Sequence, residues 1–195
     1  DYRFCSIDGD ANAENVAALK AISPLGKFPA LRHGDVTQFE SSILIEYVDQ
    51  LYPQAPPLIP ADAAAALSVR RFDRVYDNYL MAPVQAIVAE HLPFLTPQPD
   101  AARIERARDM LRTIYGWLEA QAAPDGWSGG ADFSLADCAA APALFYADWV
   151  EPIPENAPKL RALRARLLAR PSVAHVVEQA RPYRHLFPLG APDRD

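Results

Sequence analysis

The stretch Ser23–Pro53, SPLGKFPALRHGDVTQFESSILIEYVDQLYP, decides the fold. Ala30–His33 and Val36–Phe39 flank the turn pair Gly34–Asp35 and read as a hairpin. The helix that follows opens at Ser41–Ser42 and runs to Leu51–Tyr52, because Ile43, Leu44, Tyr47, Val48 and Leu51 recur on one helical face. Two joints stand out. Pro29 sits where the first strand begins, and Glu40–Ser41 sits where the helix begins. A Phe-Pro bond adopts cis at modest cost. A cis bond at Phe28–Pro29 turns the Phe28 backbone outward, so that its N–H and C=O pair with an extended peptide. The simpler alternative is a trans proline opening an edge strand. Ser41 also has two readings. It is a plain helix cap, or it places a hydroxyl at a helix start that takes a carboxylate. In the second case Glu40 holds an ammonium, and the pair fits the head group of an α-amino acid.

Composition narrows the classes. The chain has 195 residues, half of them hydrophobic, which suffices for one large domain or two small ones and argues against gross disorder. The net charge is −6, and the first sixty residues hold four Lys or Arg against eight Asp or Glu. With no basic stripe, nucleic acid and anionic membrane are excluded as expected partners. The two cysteines, Cys5 and Cys138, form no CxxC pattern, so neither a disulfide framework nor a metal site is expected. No apolar run reaches the length of a membrane span, and a cytoplasmic location is the expectation.

The rest of the chain divides at a proline-rich connector. Tyr2–Ile7 reads as a strand and Asn12–Ala21 as a short helix. Pro53–Pro60, PQAPPLIP, is half proline and reads as a stiff link. Everything after it reads helical: Ala61–Ala89 with a kink or interruption at Pro83, Ala101–Ala122, a helix entered at Phe133-Ser-Leu-Ala-Asp137, then Pro158–Ala169 and Ser172–Ala180, with an irregular tail from Arg181. Ser134 and Asp137 stand three apart ahead of an apolar run and form a capping box, a structural device worth about 1 kcal/mol. Cys5 reads as a buried structural thiol in its strand, and Cys138 as part of a capped apolar helix.

Taken in order, SPLGKFPAL…FESSILIEYVDQLYP, the connector and FSLADCAAAPAL resemble the glutathione transferases. The resemblance rests on Pro24, Gly26, Pro29 and Leu31, on Glu40, Ser41, Tyr47 and Val48, and on Ser134 and Asp137. It implies an α/β thioredoxin-like domain over residues 1–53, a linker over 54–60 and an all-α domain over 61–195. It implies that Phe28, before Pro29, holds the cysteinyl backbone of glutathione, that Glu40 and Ser41 hold its γ-glutamyl group, and that Lys27 meets its glycyl carboxylate. Tyr76 and Tyr79, with Asp73 and Asp77 nearby, would wall the pocket of a hydrophobic electrophile between the domains; as core stripe residues they have an ordinary alternative. Tyr183, Arg184 and His185 would cover that pocket or simply pack on the surface. Glutathione is then a co-substrate, no metal is needed, and a detoxifying transferase acting as a homodimer is implied. The resemblance also implies a strand and a helix ahead of Tyr2–Ile7 that carry the thiol-activating Tyr, Ser or Cys, upstream of Asp1; a Tyr2–Ile7 strand without that neighbour leaves orphan backbone groups, so that either about thirty residues precede it or the protein is a damaged relative. A glutathione-dependent isomerase, dehalogenase or thiol reductase on the same scaffold, and a non-catalytic binding or regulatory protein, remain alternatives.

Overall fold

In the computed structural model, which describes residues 3, 5–7, 12–53 and 56–194, the hairpin forms where the turn signal places it. Strands β1 (Ala30–His33) and β2 (Val36–Phe39) pair antiparallel, from Ala30 opposite Phe39 to His33 opposite Val36. The loop between them has two residues. Its first, Gly34, lies at φ 59°, the positive angle that such a turn asks of that position. Helix α1 (Ala13–Ile22) precedes the hairpin and α2 (Ser41–Leu51) follows it. The α2 face is tied to β1 by His33 Nδ1 and the Tyr47 hydroxyl, 3.0 Å apart.

The chain divides into two compact units, Asp1–Ala55 and Pro56–Asp195. The first is thinly buried. Among its described residues only Leu19 and Ser23 are buried. The apolar stripe of α2 is present, yet Ile43, Val48 and Leu51 remain 41–48 % exposed. The expected strand at Tyr2–Ile7 lies partly outside the described residues; Arg3 and residues 5–7 are irregular backbone. Cys5 is exposed there instead of buried, because no strand places it on a covered face.

The second unit is helical. It contains α3 (Ala63–Val75), a π-helical segment (Tyr76–Met81), α4 (Ala82–Glu90), α5 (Ala101–Gln121), α6 (Leu135–Val150), α7 (Pro158–Ala169) and α8 (Pro171–Ala180). Asp62 caps α3 by accepting from the Ala65 N–H at 2.8 Å, and Asp100 caps α5 by accepting from Ala102 and Arg103. These caps satisfy amides that the first turn leaves without partners. Helix α6 is apolar nearly all round and buried along most of its length, with Ala136, Ala140, Ala143 and Ala147 against its neighbours. Small residues there let α3, α4 and α7 approach its backbone. Tyr115 reaches across from α5, and its hydroxyl donates to the Glu151 carbonyl at 2.8 Å.

Three sequence expectations change. The helix expected over Ala61–Ala89 is interrupted, as one of the two readings of Pro83 has it, but the interruption lies before Pro83, as the π segment. The connector is more than a spacer, because the Leu58 carbonyl accepts the Leu135 N–H at 2.9 Å and ties it to the start of α6. The tail is ordered over Arg181–Leu186 as a 3₁₀ turn. Phe187 then stacks near Tyr146 and Trp149, and that aromatic contact offsets the entropy of ordering the tail.

Candidate functional site

The hairpin register brings the two odd joints together. Ala30 opens β1 opposite Phe39, which closes β2, so Phe28–Pro29 and Glu40–Ser41 lie at the same end of the sheet. The Phe28–Pro29 bond is cis. Phe28 is 72 % exposed, and among the described residues its N–H and C=O have no hydrogen-bond partner. Lys27 and Pro29 are exposed beside it. The preceding bend is fixed by Ser23 and Gly26: the Gly26 N–H donates to the Ser23 carbonyl at 2.8 Å, with Gly26 at φ 65°. Glycine takes that angle without the steric cost of a Cβ.

The backbone of Glu40 is the unforeseen feature. The sequence suggests Ser41 as the cap of α2, but the structure makes Glu40 the cap residue and Ser41 the first helical residue. Glu40 stands at φ 71°, ψ 114°, the one non-glycine residue with positive φ among those described. Its carbonyl accepts the Leu44 N–H at 3.0 Å, while its carboxylate makes no capping bond. Side chains rarely adopt that backbone, and such residues gather at ligand sites. The consequence is a helix start whose first amides take no bond from the cap side chain, flanked by the exposed Ser41 hydroxyl and the Glu40 carboxylate. Amides and hydroxyl suit a carboxylate, and a carboxylate suits an ammonium.

In the second unit the structure separates the two tyrosines that share a wall in the sequence reading. Tyr76 is 1 % exposed, and its hydroxyl lies 3.0 Å from Ser128 Oγ. Burial pushes its phenol well above the usual range. Tyr79 is 56 % exposed. It lines a groove of about 520 Å³ with Val75, Met110, Ile114 and Trp117, and with Asp109 and Thr113 as the polar groups. That volume falls in the range of small-molecule sites, and an apolar lining with few polar groups is their usual composition.

Ser134 and Asp137 form the expected capping box. Asp137 does more than cap. Its carboxylate accepts from the Ser134 N–H at 3.0 Å and, nine residues upstream, from the Ser128 N–H at 2.7 Å. Burial raises its carboxyl above the ordinary value, against the lowering effect of these donors. Ser128 thus joins Asp137 to Tyr76, a link between distant segments that no short spacing signals. Among the described residues no group of His, Cys, Asp and Glu is placed to hold a metal ion, and no helix is long and apolar enough to cross a membrane.

The geometry meets a consistent set of likenesses. Residues 1–56 match the family model of the glutathione S-transferase N-terminal domain, and residues 101–166 match that of the C-terminal domain. The chain belongs to the glutathione S-transferase family. Glutathione S-transferase 3 of Zea mays is 30 % identical over 140 residues, which are 70 % of this chain and 63 % of the maize protein. A glutathione S-transferase from Rhodospirillum rubrum F11 is 27 % identical with a TM-score of 0.69, over 80 % of this chain and 73 % of that one. A glutathione S-transferase from Methylobacillus flagellatus KT, solved with glutathione bound, has a TM-score of 0.74 at 24 % identity, over 90 % of this chain and 85 % of that one. These likenesses establish the thioredoxin-like domain followed by an all-α domain.

Proposed function

We propose that the first unit binds glutathione and that the second takes a hydrophobic electrophile to which the glutathione thiolate is transferred. The observation that carries the reading is the register that sets the Phe28 backbone, unpaired among the described residues, at the same end of the hairpin as Glu40 and Ser41. Glutathione has three groups to match. Its cysteinyl backbone pairs with the Phe28 N–H and C=O, as an added strand would. Its γ-glutamyl carboxylate takes the Ser41 hydroxyl and the first α2 amides, and its ammonium takes Glu40. Its glycyl carboxylate meets Lys27. The Methylobacillus relative with bound glutathione supports this choice of ligand.

In this reading residues 1–53 form the glutathione domain, 54–60 the linker and 61–195 the electrophile domain, with Tyr79 at the wall of the apolar groove. In the transfer the thiolate sulfur forms a bond to the electrophilic carbon, and the electron pair of the broken bond leaves with the displaced group or localises on the acceptor. A depressed thiol pKa raises the thiolate fraction at neutral pH. None of the residues named above is assigned that activation.

Titration calorimetry with glutathione tests the binding half. Ser41→Ala is expected to weaken binding by about 1–3 kcal/mol, since a hydroxyl bonded to a charged carboxylate is lost. Unchanged affinity removes Ser41 from the site, and the absence of binding heat from the wild-type chain removes the glutathione reading for this chain.

A further inference from the structure

Phe28 offers a ligand more than its backbone. Phenylalanine is a side chain that folding usually buries, yet this one stays 72 % exposed. Among the described residues its ring packs on no other aromatic ring and carries no cation over its face. The same residue holds a free N–H and a free C=O. An exposed ring and an unpaired backbone thus belong to one residue, at the hairpin end that also holds Glu40 and Ser41.

The backbone pairing fixes where that ring lies relative to a bound peptide. When one residue of the peptide takes both the N–H and the C=O of Phe28, the two form a hydrogen-bonded pair of an antiparallel ladder, with Cα atoms about 5.5 Å apart. Side chains directly opposite each other leave the ladder on the same face, with Cβ atoms about 4.5–5.5 Å apart. In glutathione the residue that pairs is the cysteine. Its sulfur stands one bond beyond its Cβ, and the Phe28 ring begins one bond beyond its own. The sulfur therefore comes to about 5 Å from the ring, the separation of a sulfur–aromatic contact. Any group bonded to that sulfur starts at the edge of the ring. An alkyl group there gains from the apolar area it covers. An aromatic group covers area too, and gains in addition from offset or edge-to-face packing of the two rings.

We propose, on the glutathione reading above, that Phe28 is a specificity-determining residue for the transfer: its exposed ring lies beside the cysteinyl sulfur and favours electrophiles that place an aromatic group there. The Phe28 backbone selects the peptide, and the Phe28 side chain selects what the sulfur receives.

Two measurements on the 195-residue chain test it. The first is the nuclear Overhauser effect between the Phe28 ring protons and the cysteinyl β-protons of bound glutathione, which requires no variant. A cross-peak is expected. Glutathione that binds without one overturns the proposal and leaves the glutathione reading standing. The second is calorimetry with S-benzylglutathione and S-methylglutathione, read as the ratio of their affinities. The contact of the sulfur itself is common to both ligands and cancels in the ratio. Phe28→Val keeps the backbone and removes an exposed ring, so the packing of the chain is spared. The preference for the benzyl ligand is expected to fall about threefold to tenfold in Phe28→Val and to survive in Phe28→Tyr, which restores a ring. A ratio unchanged in Phe28→Val overturns the proposal, and so does a ratio that falls as far in Phe28→Tyr. If the wild-type chain binds neither glutathione nor its two thioethers, the glutathione reading falls and the role of Phe28 falls with it.

Discussion

Replacing Glu40 separates what its backbone costs from what its side chain offers. At φ 71°, ψ 114° the residue sits where a Cβ is crowded, at a cost on the order of 1–3 kcal/mol. Its side chain is exposed and makes no capping bond, so substitution sacrifices no packing. Glu40→Gly removes the crowding, since glycine reaches positive φ freely. It also widens the unfolded ensemble, which offsets about 0.4–1 kcal/mol of the gain. The net stabilisation is about 0.5–2 kcal/mol. Glu40→Ala keeps the Cβ, and with it the strain, while removing the same carboxylate. The two variants should therefore share a binding defect and differ in stability, glycine exceeding alanine by about 1 kcal/mol.

The readout must be local to the first unit. Amide exchange at Leu44, whose N–H is bonded to the Glu40 carbonyl, reports the opening of the α2 start. A gain of 1 kcal/mol slows that exchange about fivefold. Calorimetry with glutathione measures the shared defect in parallel. If Leu44 exchanges no more slowly in Glu40→Gly than in Glu40→Ala, the residue is not held against its backbone preference and the strain argument fails. If both variants bind glutathione as tightly as the wild type, Glu40 does not receive the ammonium.

Asp137→Ala removes the acceptor of the buried Ser134 N–H and of the Ser128 N–H; the loss should be about 3–5 kcal/mol, read as a lowered denaturant midpoint. Asp137 also carries a pH signature. Its folded-state carboxyl is raised, so the folded chain holds the proton more tightly and stability falls as pH rises from the ordinary carboxylate value through the raised one. Urea titrations across that window should show the wild type losing stability relative to Asp137→Asn; parallel curves would refute the shift. Gly129→Ala builds a Cβ 2.7 Å from both Ser134 Oγ and Val69 Cγ2. Val69 is 1 % exposed and Ser134 is held in the capping box, so neither yields easily, and a loss of about 1–3 kcal/mol is expected in thermal unfolding.

Local signals carried over well and long-range ones did not. Gly34–Asp35 placed the hairpin, and the spacing of Ile43, Leu44, Tyr47 and Val48 placed α2, because turn chemistry and helical period act over a few residues. The Ser134–Asp137 box was legible for the same reason. Ser128 was not, because its bonds to Tyr76 and Asp137 span 52 and 9 residues and leave no periodic trace. Glu40 was singled out for its carboxylate, while its positive φ stayed hidden, since no residue type announces a left-handed glutamate. The pair Tyr76 and Tyr79 shows how one local irregularity propagates. The resemblance singles out both as pocket residues, a helical period makes both core residues, and both belong to the same helical run. The π turn between them changes that period over six residues, and it sends one tyrosine to the core and the other to the groove. Pro83 is visible in the sequence and points to a kink or interruption at its own position. Its missing N–H acts one turn earlier, on the Tyr79 carbonyl, which is where the helix widens. A proline that follows an aromatic pair by four to seven residues in a long amphipathic helix is therefore a reason to doubt that the pair shares a face.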